Sequence, residues 1–243
     1  MSAGSLIGTI ARLQRFPVKS MGADPLQQGD LRWNGLHGDR QYAFVKTNSR
    51  NRFPYLTARD VPSLLLYKAR YANPSDPRNS EVGVVSPSGV DYNLEDPRLC
   101  EELTDAASEP VQLMQLGRGH FDTAAVSLIA ATTAGKVAYA HGGGVDLARF
   151  RINILVEPTD PDTWDRDWLA STIAISGAAA AARLCVDFPI ERCAMITLDP
   201  DTAQRDVSIM RTVARAFGNE IGMYCAVESP GMIRLGDPVH IAG

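Results

Sequence analysis

Short apolar runs recur along the whole of this chain, and each is stopped within a few residues by proline, glycine, asparagine or aspartate. Runs of this length are too brief to give a helix a buried face, and many carry β-branched or aromatic residues, so they read as strands. Residues 7–13, 41–45, 82–85, 90–92, 111–116, 126–130, 149–156, 173–177, 178–186, 194–198, 222–227 and 232–241 are expected to be extended, and residues 61–67 a strand or a short helix. Three helices interrupt the pattern. Asp96 followed by Pro97 is an N-cap with proline at the first helical position, opening residues 98–107. Thr132 or Thr133 is expected to cap a second helix that stops at Gly142-Gly143-Gly144. Asp206 caps a third through Phe217, with Val207, Met210, Val213, Ala214 and Phe217 on one stripe and Gly218 at its end. Many short strands with few helices predict a mainly β (α+β) fold built on an antiparallel β-barrel.

The chain has 243 residues, enough for one large domain or two closely packed small ones. The expected division is a smaller N-terminal β-barrel-like domain over residues 1–115 and a barrel domain over 116–243. A net charge of −4 leaves no global basic field for nucleic acid or an anionic membrane. No apolar run reaches about 18 residues, and no charged leader precedes a long apolar stretch, so a cytoplasmic location is expected. Cys100, Cys185, Cys193 and Cys225 contain no C-x-x-C, which argues against a disulfide framework or an iron–sulfur cluster. His37, His120, His141 and His240 lack zinc-ligand spacing, and no nucleophile elbow, Walker A or dinucleotide fingerprint is present.

Several residues carry chemistry. Cys193 follows Arg192 directly and precedes an apolar run, which would set it near the start of a strand. A neighbouring guanidinium favours the thiolate, the form that attacks electrophiles and binds soft metals. The competing reading is a small buried hydrophobe. Glu191, one residue earlier, would partly oppose ionisation. Lys19 and Ser20, in the polar turn after the first strand, could hold a phosphate, or Lys19 could be a solvated loop lysine. Arg40 opens a strand and could face a pocket or pair with Asp39 at the surface. Arg149, Arg151 and Asn153 put two guanidiniums and an amide at the expected start of another strand, where an anion site could form. Trp164 and Trp168 read as packing residues, the glycine at 177 as a bulge, and the triple glycine as a helix stop rather than a phosphate cradle.

The stretches FPVKS (16–20), GLHGDR (35–40), RFRIN (149–153), ERC (191–193), LDPDT (198–202) and PGMIRLGDPV (230–239) run in order and nearly end to end. Together they resemble MOSC-domain proteins that carry an N-terminal β-barrel extension. The resemblance is nearest to the group of the mitochondrial amidoxime-reducing component and its bacterial relatives. It implies a molybdenum cofactor, with Cys193 as the protein ligand to the metal and Lys19, Ser20, Arg40, Arg151 and Asn153 contacting the cofactor. Arg149, Arg192 and Tyr224 complete the expected binding set. Asp199 is expected either to move protons near the metal or simply to cap the turn that follows it. Two positions depart from the family pattern: Ile152 stands where a proline is usual, and Ala203 where a glycine is usual. The implied activity is reduction of small N-oxygenated compounds, with electrons from a separate donor protein. The alternatives are a sulfur carrier using a Cys193 persulfide, and a non-catalytic cofactor-binding module.

Overall fold

The computed structural model describes all residues except 1–3, 118, 120, 176–180 and 243. Its centre is a closed barrel of seven strands. In order around the wall these are Ile154–Pro158, Val126–Ala130, Glu220–Ser229, Ala182–Glu191, Thr172–Ile175, Pro238–Ile241 and Ser5–Arg15, the last pairing back with Ile154–Pro158. Closure removes the exposed edges that an open sheet would present. All these pairings are antiparallel except Val126–Ala130 with Ile154–Pro158, whose strands run parallel with Leu128 opposite Ile154. An intervening helix makes that connection possible, since parallel neighbours need a crossover.

Inside the barrel, Leu13, Leu128, Val156, Ile173, Leu184, Val186, Met223 and Val239 are buried together. The long Ser5–Arg15 strand alternates exposed and buried positions before all its last residues turn inward, as a strand with one wet face does. A second β unit packs Phe44, Leu56, Leu64, Tyr67, Val84, Leu99 and Leu103 around its own core. Its sheets are Tyr42–Lys46 with Val111–Gln115, and Lys68–Tyr71 with Val82–Val85 and Asp91–Asn93. A further small sheet packs on the barrel core through Leu31, Leu36 and Ile233. Ser5–Arg15 completes the barrel, while Gly231–Arg234 pairs with Gln28–Arg32.

The described residues form three α-helices of eleven residues each: α1 (Pro97–Ala107), α2 (Ala131–His141) and α3 (Val207–Phe217). Asp96 caps α1 through the Arg98 amide, and Asp206 caps α3 through the Ser208 amide, as the sequence leads one to expect. α2 differs: its N-cap is Ala130, with no side-chain bond. Thr132 and Thr133 lie inside the first turn, Thr132 donating to the Thr163 carbonyl and Thr133 to the Asp165 carboxylate. Gly142 ends α2 in the left-handed region. In α3 the buried face is Ile209, Val213 and Phe217, while Val207 and Ala214 face solvent. The stripe is rotated because α3 packs jointly against α2 and the residues after Cys193.

Three further expectations change. Residues 149–156 do not form one strand: Leu147–Phe150 is a 3-10 turn capped by Asp146, Arg151 turns left-handed, and the strand begins at Ile154. Residues 194–198 are likewise not a strand, because Ala194–Thr197 is a 3-10 turn. Residues 61–67 resolve as the 3-10 turn Pro62–Leu66. The expected bulge at Gly177 and the start of the strand reading at 178 lie outside the described residues. Among the described residues no helix is long and apolar enough to cross a membrane.

Candidate active site

A cavity of about 820 Å³ opens between the barrel and the second β unit, within the size range of cofactor and small-ligand sites. Of the ten residues singled out in the sequence, Lys19, Ser20, Arg40, Arg149, Arg151, Asn153, Arg192, Cys193 and Tyr224 line it. Asp199 does not.

The first wall comes from the turn after the Ser5–Arg15 strand. This polar turn is buried rather than solvated, with Lys19 only 7% exposed. The Lys19 amide donates to the Tyr42 carbonyl at 2.8 Å, and the Arg40 amide to the Phe16 carbonyl at 2.6 Å. Asp39, itself buried, accepts from the Phe16 amide at 2.6 Å and pairs with the Arg40 guanidinium. Arg40 also donates to the Arg151 carbonyl at 3.1 Å, so two turns distant in sequence are tied together. Both guanidiniums lie over the buried Phe16 ring, Arg151 at 4.2 Å and Arg40 at 4.6 Å from its centroid.

Ser20, Arg40 and Arg151 all have positive φ, at 68°, 49° and 52°. Left-handed backbone at a residue with a Cβ costs on the order of 1 kcal/mol and persists only where the surroundings over-determine it. Three such residues on one wall mean that strain has been concentrated at this cavity. Arg151 Nη2 is buried without a hydrogen-bond partner. Burial, with the Arg40 charge alongside, pulls the Arg151 guanidinium down to about 9. Burial also lowers the Lys19 ammonium, against the pull of Asp122 and with Arg40 and Arg151 adding to the fall.

Asn153 works mainly inward. Its Oδ1 accepts from the Ser127 amide and hydroxyl, and its Nδ2 donates to the Gln14 carbonyl at 3.2 Å. Arg149 donates to the Thr197 carbonyl at 3.1 Å and to Asp199 at 2.7 Å, leaving its buried Nε unpartnered. Asp199 thus stands behind Arg149. Its other oxygen accepts from the Asp201 and Thr202 amides and the Thr202 hydroxyl. Burial would raise the Asp199 carboxyl, but these bonds and Arg149 hold it below the ordinary value. This is the geometry of the turn cap.

The second wall carries the thiol. Cys193 follows the end of the Ala182–Glu191 strand and is the N-cap residue of the next 3-10 turn. It is exposed rather than packed as a small hydrophobe. Arg192, in contrast, is buried, and its guanidinium points into the fold. Nε donates to the Ile221 carbonyl at 2.7 Å, Nη1 to the Phe150 carbonyl at 2.9 Å, and Nη2 again to Ile221. Its hydrogen bonds therefore belong to the backbone and not to the neighbouring thiol. Tyr224 packs on Phe188 with ring centroids 5.5 Å apart. Burial raises its phenol, which keeps the hydroxyl protonated at neutral pH.

Among the wall residues that the sequence did not single out are Phe53, Arg59, Asp122 and Phe188. Phe53, on a loop, and Phe188, on the Ala182–Glu191 strand, are about 40% exposed, and no local pattern marks either as part of a cavity wall. Asp122 lies beside Lys19 only because the fold brings residues 103 positions apart together. Phe16 was legible as part of FPVKS, though its place beneath two guanidiniums was not.

Two family models match the chain: the MOSC domain over residues 116–240 and the MOSC N-terminal beta barrel domain over residues 7–118. Among solved structures, the YuaD protein from Bacillus subtilis aligns over 98% of each chain at 14% identity with a TM-score of 0.50, a likeness of fold. YiiM from Geobacillus stearothermophilus aligns over 49% of this chain and 54% of its own at 15% identity, with a TM-score of 0.35. No curated protein sequence matches significantly.

Proposed function

The chain belongs to the MOSC domain family, a family associated with the molybdenum cofactor, and from that premise we propose that it is a molybdenum-cofactor oxidoreductase reducing small N-oxygenated compounds. The observation that carries the reading is an exposed thiol, Cys193, on the wall of a cavity whose opposite side holds a buried, unpartnered arginine donor. A buried donor without a partner is costly and marks a place for an acceptor from a ligand.

The residues suit this cofactor. A phosphate monoester asks for Lys and Arg donors, supplied by Lys19, Arg40 and Arg151. A pterin ring asks for a flat slot with polar edges, for which the Ser20 and Tyr224 side chains stand on the cavity wall. Among the described residues no group of three or more His, Cys, Asp or Glu could hold a metal, so a metal here would take one thiolate from Cys193 and its other donors from the cofactor's dithiolene. When bound, the cofactor supplies two-electron redox chemistry at a soft metal.

The chain's own contributions follow from its geometry. Cys193 presents its sulfur from a rigid strand end, fixed by the Arg192 amide bond to the Asn219 carbonyl at 2.9 Å. Phe53, Phe121 and Phe188 add apolar surface to the cavity wall. Reduction of an N-hydroxy group takes two electrons and two protons and releases water. Tyr224 is a wall group that holds a proton at neutral pH, and the electrons come from a separate donor protein.

The test is metal analysis of protein expressed with cofactor biosynthesis, together with reduction of a hydroxylamine by an artificial donor. Wild type should carry molybdenum and turn over, and Cys193→Ser should lose both. Molybdenum retained in full by Cys193→Ser would sink the proposal. A gain of one sulfur on Cys193 after incubation with a sulfur donor, without metal, would favour the persulfide carrier instead. Metal without turnover would favour a binding module.

A further inference from the structure

We propose that Asp122 is the built-in counter-ion of an anion subsite formed by Lys19, Arg40 and Arg151, and that this carboxylate sets how tightly the subsite takes a phosphate group. The identity of the natural ligand rests on the cofactor reading above; the subsite rests on the cavity's own geometry.

The Lys19 ammonium bonds to the Asp122 carboxylate, and the two side chains differ sharply in exposure, 7% against 60%. The cation is built into the wall, 5.2 Å from the centroids of Phe53 and of Tyr55. The carboxylate stands in open water at the cavity surface. Its neighbour Thr123 hydrogen-bonds to the Tyr224 side chain, while the Asp122 side chain itself faces solvent. The Asp122 charge also acts on Arg151, whose Nη2 lacks a partner.

Asp39, the other carboxylate beside these cations, has no such exposure. It is 2% exposed and bound to the Phe16 amide and to Arg40. Asp122 is therefore the exchangeable anion of the group. A phosphate monoester brings nearly two negative charges and three acceptor oxygens, which suits an ammonium and an unpartnered guanidinium edge. While Asp122 remains in place, the incoming phosphate meets a like charge and loses Lys19 as a donor. Binding is an exchange of one anion for another, and Asp122 lowers its affinity.

Titration calorimetry of purified, cofactor-free protein with inorganic phosphate tests this. Asp122→Asn should bind phosphate about tenfold more tightly than wild type, the effect of one unfavourable charge contact of ordinary size. Lys19→Met should bind more weakly, and in the Lys19→Met background the Asp122→Asn gain should disappear. Asp160→Asn, an exposed carboxylate off the cavity, should change nothing. Unchanged melting temperatures would confirm that each variant folds. Equal or weaker phosphate binding by Asp122→Asn, an equal gain from Asp160→Asn, or no phosphate binding by either wild type or Asp122→Asn would overturn the proposal. The two readings fail separately: the predicted phosphate pattern without molybdenum loading sinks only the oxidoreductase, and loaded molybdenum with no Asp122 effect sinks only the counter-ion.

Discussion

Replacing Arg192 tests whether this residue is a buried strut or chiefly an activator of the neighbouring thiol. The residue is 8% exposed, and its guanidinium reaches two carbonyls on different segments, Phe150 and Ile221. Arg192→Met keeps much of the side-chain volume but strips both carbonyls of a charged donor. Leaving a buried acceptor unsatisfied costs about 1–3 kcal/mol, so two carbonyls set a gross loss of roughly 2–6 kcal/mol. Part of this is returned because a charge no longer has to be desolvated. A net loss of about 3 kcal/mol is expected. Arg192→Lys can place a single ammonium on one carbonyl, so it should lose about half as much. Denaturant unfolding at neutral pH measures both, read as a shift of midpoint at constant slope. A loss below about 1 kcal/mol for Arg192→Met would refute the strut, showing that cavity water satisfies the carbonyls.

Three other outcomes follow from the site. Cys193→Ser should change stability by less than about 0.5 kcal/mol, since the side chain is exposed, and thermal melting beside metal analysis separates this from loss of the ligand. Gly222→Ala should destabilise by about 1–3 kcal/mol, because Gly222 has φ +77° and a new Cβ would lie 2.9 Å from Arg192 Nη2 and 3.1 Å from the Leu128 carbonyl; a neutral result in the same melting assay would contradict the packing described. Lys19 has a folded pKa below its unfolded value of 10.5, so the native state binds its proton less tightly than the unfolded chain. The resulting cost is full below the folded pKa and fades as pH rises through 10.5, so Lys19→Met should be at least as stable as wild type at pH 7–8 while binding phosphate more weakly. Clear destabilisation in denaturant titrations at that pH would show that the Asp122 pair outweighs burial.

Much of the β architecture was legible because strands and turns are short-range facts. Asp96-Pro97 and Asp206 announced their helices through caps that use only neighbouring residues. The readings that failed did so where tertiary contacts override local pattern. Residues 149–153 alternate like a strand, yet Arg151 turns left-handed, stacks on Phe16 and offers its carbonyl to Arg40, neither of which is near in sequence. The α2 threonines look like caps and instead donate to Thr163 and Asp165 about 30 residues away. Asp199 was open to two roles, and its bonds to the Asp201 and Thr202 amides are those of the turn cap.

By itself the sequence determined that this chain is mainly β, where α1 and α3 begin and end, and which basic residues stand beside a cysteine in motifs typical of one family. Hydrophobic spacing and capping chemistry act over a few residues and can be read without a fold. Only the tertiary structure decided that Cys193 is exposed while Arg192 is turned inward, that Lys19 is buried against Asp122, and that Arg151 keeps a donor without a partner. Those outcomes depend on which distant backbone and side-chain groups arrive at the same cavity, and barrel closure between residues 5–15 and 154–158 is what brings them there.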